Sequence, residues 1–191
     1  GLDFSIEKDE LRVVIGPNGA GKTTLLDMIC GKTKPSSGRI EFNQKDLSKL
    51  NEYEITRAGV GRKFQTPSVF EDLTVFENLE ISYPKKRGVF GSLFFRRTAE
   101  ILNRIKSVAE DIYLSDSLET KAGTLSHGQK QWLEIGMLLM QNPELLLLDE
   151  PYSNLDMLHK HILKKVIDNL IAEVGITCIL VSHDPLDTLS F

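Results

Sequence analysis

Residues Gly16-Pro17-Asn18-Gly19-Ala20-Gly21-Lys22-Thr23 fit the pattern G-x-x-x-x-G-K-S/T. An apolar run, Leu11 to Ile15, leads into them and reads as a strand. Thr24 to Cys30 follows and reads as a helix stopped at Gly31. Strand, loop and helix in that order are the setting in which the pattern has a physical meaning. The glycines let the backbone curl until several N–H groups face one centre, and the helix N-terminus adds the positive end of its dipole. Gly16 to Thr24 is therefore expected to cradle a phosphate group. Lys22 is placed to neutralise the terminal phosphates, and the Thr23 hydroxyl to hold a magnesium ion.

A second feature lies far downstream. Leu145-Leu-Leu-Leu148 is an unbroken apolar run, as a strand buried on both faces would be, and it ends in Asp149-Glu150. Two carboxylates at the end of such a run have no use in packing. Asp149 falls where it can orient the magnesium ion, and Glu150 where it can accept a proton from an attacking water. A third feature, Leu125-Ser126-His127-Gly128-Gln129, precedes helix-like Lys130 to Met140. Ser126 with Gln129 is a capping box, so a structural role is certain. The same exposed helix start, with a serine hydroxyl and a glycine, also suits a second phosphate contact.

Strand-like and helix-like segments alternate along the 191 residues, which predicts an α/β fold with a largely parallel sheet. Arg39 to Phe42, Val60 to Phe64 and Ile176 to Val181 read as further strands; Glu52 to Arg57 reads as a helix with its stop at Gly59. Thr74 to Glu77 is another capping box. Ile101, Leu102, Ile105, Val108, Ala109 and Ile112 share one helical face. Residues 67–121 break the alternation and read as an inserted helical subdomain that continues into the helix at 126–140. Inside it Lys85-Lys86-Arg87 and Arg96-Arg97 flank an apolar cluster, either a partner surface or ordinary packing under a basic rim.

Charged residues make up 26% and hydrophobic ones 41%, and the formal charge of −4 gives no general attraction to nucleic acid or anionic lipid. Cys30 and Cys178 sit among apolar neighbours and are expected to be buried free thiols in a reducing compartment. No stretch approaches the ~20 apolar residues of a membrane span, and no charged-then-apolar leader is visible, so a cytoplasmic location is expected.

Taken together these motifs resemble the nucleotide-binding subunits of ABC transporters, whose signature reads Leu-Ser-Gly-Gly-Gln. Here His127 occupies the third position, while Ser126 and Gly128, which meet phosphate in that family, are kept. The resemblance spans nearly the whole chain. It implies a P-loop NTPase with a mainly parallel RecA-like sheet, a small antiparallel β portion and an inserted helical subdomain, all within one ATPase domain over 1–191. It further implies ATP and Mg²⁺ as ligands, and a homodimer or a heterodimer with a second ABC ATPase. Each ATP would lie between the phosphate loop of one copy and Ser126, Gly128 and Gln129 of the other. Permease subunits would be the membrane partners, placing the protein on the inner face of the cell membrane through them and away from nucleic acid.

Residue by residue, Gln65 matches the glutamine that touches magnesium or the lytic water. Ser153-Asn154-Leu155-Asp156 matches the D-loop, with Asp156 acting across the dimer interface. His183 matches the switch histidine at the γ-phosphate, completing a catalytic set with Lys22 and Glu150. His159 and His161 match nothing and are taken as surface residues. Gly61 to Phe70 and Leu125 to Met140 are similar to the urea-type ATPases of the branched-chain amino-acid importer group, a likeness held to residue 150; Tyr152 to Phe191 is closer to other ABC ATPases. Both ends read as clipped, because the family's adenine-stacking aromatic lies farther upstream than Phe4 and its strands after His183 are not in the sequence. Weaker nucleotide binding and a less stable fold are the expectation. A soluble ABC ATPase acting on nucleic acid or the ribosome, and a regulatory module without turnover, are the competing functions.

Overall fold

The computed structural model describes residues 2–63, 68–84, 97–153 and 155–185. The chain forms two compact units, Gly1–Thr66 with Pro143–Phe191, and Pro67–Asn142.

In the first unit four parallel strands, β1 (Leu11–Ile15), β4 (Val60–Lys63), β5 (Leu145–Asp149) and β6 (Thr177–Ser182), lie in the order β1-β6-β5-β4. Every residue of β5 and β6 is buried, which is why neither segment alternates in polarity. Helix α1 (Lys22–Ile29) follows β1, and α2 (Glu52–Arg57) starts at Asn51, whose side chain and that of Glu54 satisfy one another's backbone N–H groups. Leu26 and Ile29 of α1, Ile55 of α2, Leu147 of β5 and Val181 of β6 share one apolar core. That packing sets the carboxyl ends of the strands as a row.

The strand expected over Arg39 to Phe42 is shorter than its alternation suggested. Only Glu41–Phe42 (β2) pairs, antiparallel, with Lys45–Asp46 (β3). Asn43 and Gln44 between them both have positive φ, 48° and 63°, as the tightest hairpin turns demand. Helix α6 (Met157–Ala172), capped by Asp156, is an element the sequence reading did not include.

The second unit is helical: α3 (Val75–Ser82), α4 (Ala99–Asp111) and α5 (His127–Leu139). Thr74 with Glu77, and Ser126 with Gln129, close reciprocal capping boxes on α3 and α5. The second box starts α5 three residues earlier than Lys130. Ile101, Ile105, Val108, Ala109 and Ile112 are buried as the helical face predicted, while Leu102 is only partly covered. The fully buried Asn78 donates to the carbonyls of Phe70 (3.0 Å) and Thr74 (2.9 Å) and accepts from the Phe70 N–H (2.8 Å), fixing the turn before α3. The basic and apolar cluster falls mostly outside the described residues. Arg97, which is described, pairs with Glu80 at 2.8 Å and lies 5.1 Å over the Phe76 ring.

The two cysteines differ. Cys178 is fully buried, and burial pushes its thiol up to about 12. Cys30, expected to be buried as well, is only partly so, with the Arg62 guanidinium 3.1 Å from its sulfur. No helix among the described residues is long and apolar enough to cross a membrane.

Candidate functional site

The loop from Gly16 to Thr23 grows directly out of the sheet. Ile15 pairs with Ser182 at the ends of β1 and β6, and the Gly16 N–H points to the Ser182 carbonyl at 3.4 Å. Gly19 and Gly21 then adopt φ of 82° and 89°. An added Cβ at either would meet nothing within 4 Å, so backbone conformation, not crowding, calls for glycine there. Gly21 is the N-cap of α1 and brings no side-chain cap. The first N–H groups of that helix therefore have no acceptor within the helix, and they suit an anion.

Lys22, 8% exposed, folds over the loop and donates from Nζ to the carbonyls of Gly16 (2.6 Å) and Pro17 (3.0 Å). The Thr23 hydroxyl lies 3.5 Å from Asp149 Oδ1, so two hard oxygen donors from α1 and β5 face each other. That donor chemistry fits magnesium, which takes oxygen ligands and few of them from protein. Asp149 is itself 3% exposed, and its Oδ2 accepts from Arg62 at 3.2 Å. Arg62 also donates to Asp27 Oδ1. Burial pulls the arginine pKa down, but the hydrogen bonds to Asp27 and the Cys30 sulfur outweigh it and leave the group raised.

Glu150 leaves the strand in the left-handed region, φ 47°, while its N–H donates to the Val181 carbonyl at 2.9 Å. A non-glycine residue held there turns its side chain off the strand direction, a strain common at functional positions. Its carboxylate, mostly buried, accepts from Ser153 Oγ (3.2 Å) and faces His183 Nδ1 (3.2 Å). His183 is about half exposed, just past the buried Ser182, whose hydroxyl accepts from the Asp184 N–H at 3.1 Å and fixes the turn. Lys22, Thr23, Asp149, Glu150 and His183 thus all sit at the carboxyl ends of β1, β5 and β6, where ligands of parallel sheets bind.

Asp156 caps α6, accepting from the His159 N–H at 2.9 Å. That bond first, and the His159 ring second, hold its carboxyl below the usual carboxylate range. His159 is accordingly more than the surface residue expected, being partly buried against Asp156, whereas His161 is exposed. In the helical unit, exposed Ser126 accepts on Oγ from the Gln129 N–H (3.2 Å), and Gln129 Oε1 accepts from the Ser126 N–H (3.0 Å). Gly128 is buried in the first turn, and His127 Nε2 lies 3.1 Å from Gln131 Nε2. Gln65 and Asn154 lie outside the described residues.

Sequence inspection missed Arg62 and Asp27. Nothing in the sequence singles Arg62 out, since its strand neighbour Lys63 is charged as well and the burial of both side chains emerges only from the fold.

Residues 1–153 match the ABC transporter family. The chain is 33% identical over 191 residues to the high-affinity branched-chain amino acid transport ATP-binding protein BraF of Pseudomonas aeruginosa, covering 96% of this chain and 75% of that protein. It is similar in structure to an ATP-binding cassette of an ABC transporter in its ADP conformation, with TM-score 0.85 and 33% identity over 100% of this chain and 76% of that one. A dimeric cassette in a post-hydrolysis state, bound to ADP and Pi, gives TM-score 0.77 at 26% identity, over 96% of this chain and 79% of the other.

Proposed function

Because this chain belongs to the ABC transporter family, whose ATP-binding subunits hydrolyse ATP, we propose that it drives solute import, of branched-chain amino acids or urea, through ATP-dependent closure of a dimer. The observation that carries this reading is one pair of neighbours. Asp149 faces the Thr23 hydroxyl, and the next residue, Glu150, is turned out of the strand with its carboxylate held between Ser153 and His183.

The phosphates of ATP bind the loop from Gly16 to Thr24, where Lys22 exchanges the carbonyls of Gly16 and Pro17 for phosphate oxygens. Thr23 and Asp149 would hold magnesium, and Gln65 would touch the ion or the lytic water. When bound, the ion would supply positive charge that offsets the charge of the phosphates. Glu150 takes a proton from the attacking water, and His183 steadies the γ-phosphate. Little covalent work falls to the protein; positioning and charge stabilisation do most of it.

Ser126, Gly128 and Gln129 complete the site from a second copy or from a related ATPase, with Asp156 acting at the same seam. The dimeric cassette with ADP and Pi supports such an assembly. Permease subunits turn closure and reopening into transport, so the protein works at the cytoplasmic face of the membrane and touches no nucleic acid. The branched-chain amino-acid relative supports the cargo class.

Phosphate release from Mg-ATP, together with recovery of tagged protein from cells, tests this. Hydrolysis and co-purifying membrane subunits are expected. Co-purifying RNA would instead favour a soluble ABC ATPase acting on nucleic acid or the ribosome, and binding without phosphate release would favour a regulatory module.

A further inference from the structure

Arg62 joins three elements at the base of the phosphate site. Its side chain is 6% exposed; one terminal nitrogen donates to Asp149 Oδ2 at 3.2 Å, and the other donates to Asp27 Oδ1. Asp27 sits one helical turn beyond Thr23 on α1, and Asp149 ends β5. A single guanidinium on β4 therefore ties the helix that carries the Thr23 hydroxyl to the strand that carries the facing carboxylate. Its planar fork has fixed geometry, unlike an ammonium, so it defines direction as well as charge.

The two oxygens of Asp149 are divided by this contact. Oδ2 is taken by Arg62, and Oδ1 is turned to Thr23 at 3.5 Å. Without the guanidinium, the buried Asp149 carboxylate would lose the partner of its Oδ2, while Asp27, partly exposed, would keep Lys32 at 3.9 Å. With that tie gone the Asp149 side chain would be able to rotate, which takes Oδ1 away from Thr23.

We propose that Arg62 is a positioning residue that holds the Asp149 carboxylate with Oδ1 toward Thr23, and thereby sets how far magnesium tightens nucleotide binding. This rests on the phosphate-loop reading above. Arg62 touches neither phosphate nor water in this role; it acts through Asp149.

The test is equilibrium binding of a fluorescent ATP analogue, with magnesium and with EDTA, to the wild type, Arg62→Met and Arg62→Lys, alongside thermal unfolding. In the wild type magnesium tightens binding. Arg62→Met is expected to match the wild type in EDTA yet lose most of that tightening, with half-saturating magnesium raised about tenfold, as is usual for residues that orient a metal-binding group. Arg62→Lys, which keeps the charge without the fork, recovers part of it. Full tightening in Arg62→Met overturns the proposal, and so does an equal loss of affinity with and without magnesium, which marks a merely structural part. If Arg62→Met does not fold, Asp27→Asn decides: a smaller loss of the magnesium effect supports the proposal, and an intact effect overturns it. A wild type that binds no nucleotide refutes the phosphate-loop reading itself, an outcome distinct from a wild type that binds beside an unaltered Arg62→Met.

Discussion

His183 Nδ1 lies 3.2 Å from Glu150 Oε1, and the two side chains arrive from adjacent parallel strands whose ends are in register, Asp149 opposite Val181. Glu150 is therefore fixed from both sides, with the Ser153 hydroxyl on its other oxygen. A carboxylate whose direction is set before substrate arrives is suited to general-base work, since little reorganisation is left for the reacting state.

Glu150→Gln is expected to keep the hydrogen bond from Ser153 and the shape of the site while removing the base. Turnover should fall by about two to four orders of magnitude, the usual worth of a positioned base. ATP affinity should stay close to that of the parent, and ATP with magnesium should trap a dimer detectable by size-exclusion chromatography with light scattering. Hydrolysis at the parental rate would falsify the assignment of the base.

Ser126→Asp separates capping from phosphate contact. Aspartate is as good an N-cap as serine and favours the positive end of the helix, so α5 should keep its start. The Gln129 N–H would still find an acceptor in place of Ser126 Oγ. A second negative charge would, however, confront the γ-phosphate supplied by the facing copy. Unfolding temperature within about 2 °C of the parent, with ATPase activity and ATP-induced dimerisation both lost, is the expected pair of results. Retained dimerisation would leave Ser126 with its cap alone.

Much of this site could be read from the chain because its chemistry is local. Gly16 to Thr23 encodes strand exit, positive-φ turns and helix entry within eight residues, and Leu145 to Asp149 announces a buried strand by having no polar alternation. The Arg62 cluster was hidden for the opposite reason. Asp27, Arg62 and Asp149 are separated by 35 and 87 positions, and only strand order brings them together. The β2–β3 hairpin was missed because its turn residues are Asn43-Gln44, where a glycine in second place would have signalled the positive φ. Helix α6 was missed despite the buried stripe of Leu163, Val166, Ile167 and Leu170, because its cap, Asp156, was read only as part of the Ser153 to Asp156 motif.

Cys178 and Cys30 should differ in reactivity. Burial raises the Cys178 thiol to about 12 from an ordinary value of 9.0, so the neutral form is favoured in the folded chain. A raised folded value stabilises the fold below pH 9 and withdraws that stabilisation as pH climbs from 9 toward 12. At pH 8 a thiol reagent should titrate one cysteine in the native protein and two in urea, with Cys30 the reactive one. Over pH 9 to 10.5 the urea midpoint of the parent should fall more steeply than that of Cys178→Ala. Two fast thiols in the native protein, or parallel pH slopes, would remove the basis for the difference.

Gly136 offers a test of packing in the helical unit that is independent of nucleotide. It lies within α5, where alanine is the better helix former by about 1 kcal/mol, so propensity alone predicts that Gly136→Ala stabilises. The neighbours argue otherwise. A Cβ at this position would fall 2.5 Å from Ile112 Cδ1, 3.0 Å from Leu79 Cδ2 and 3.3 Å from Val108 Cγ1. Ile112 could swing its terminal methyl aside if it had room, but it, Leu79 and Val108 are all fully buried and have no free volume to move into. Overpacking of this kind costs about 1–3 kcal/mol, which exceeds the gain in propensity. The variant should therefore lose about 1 kcal/mol in urea unfolding, seen as a lower midpoint at unchanged slope. A midpoint equal to or above that of the parent would mean that α3 and α4 do not press on α5 at Gly136 as described.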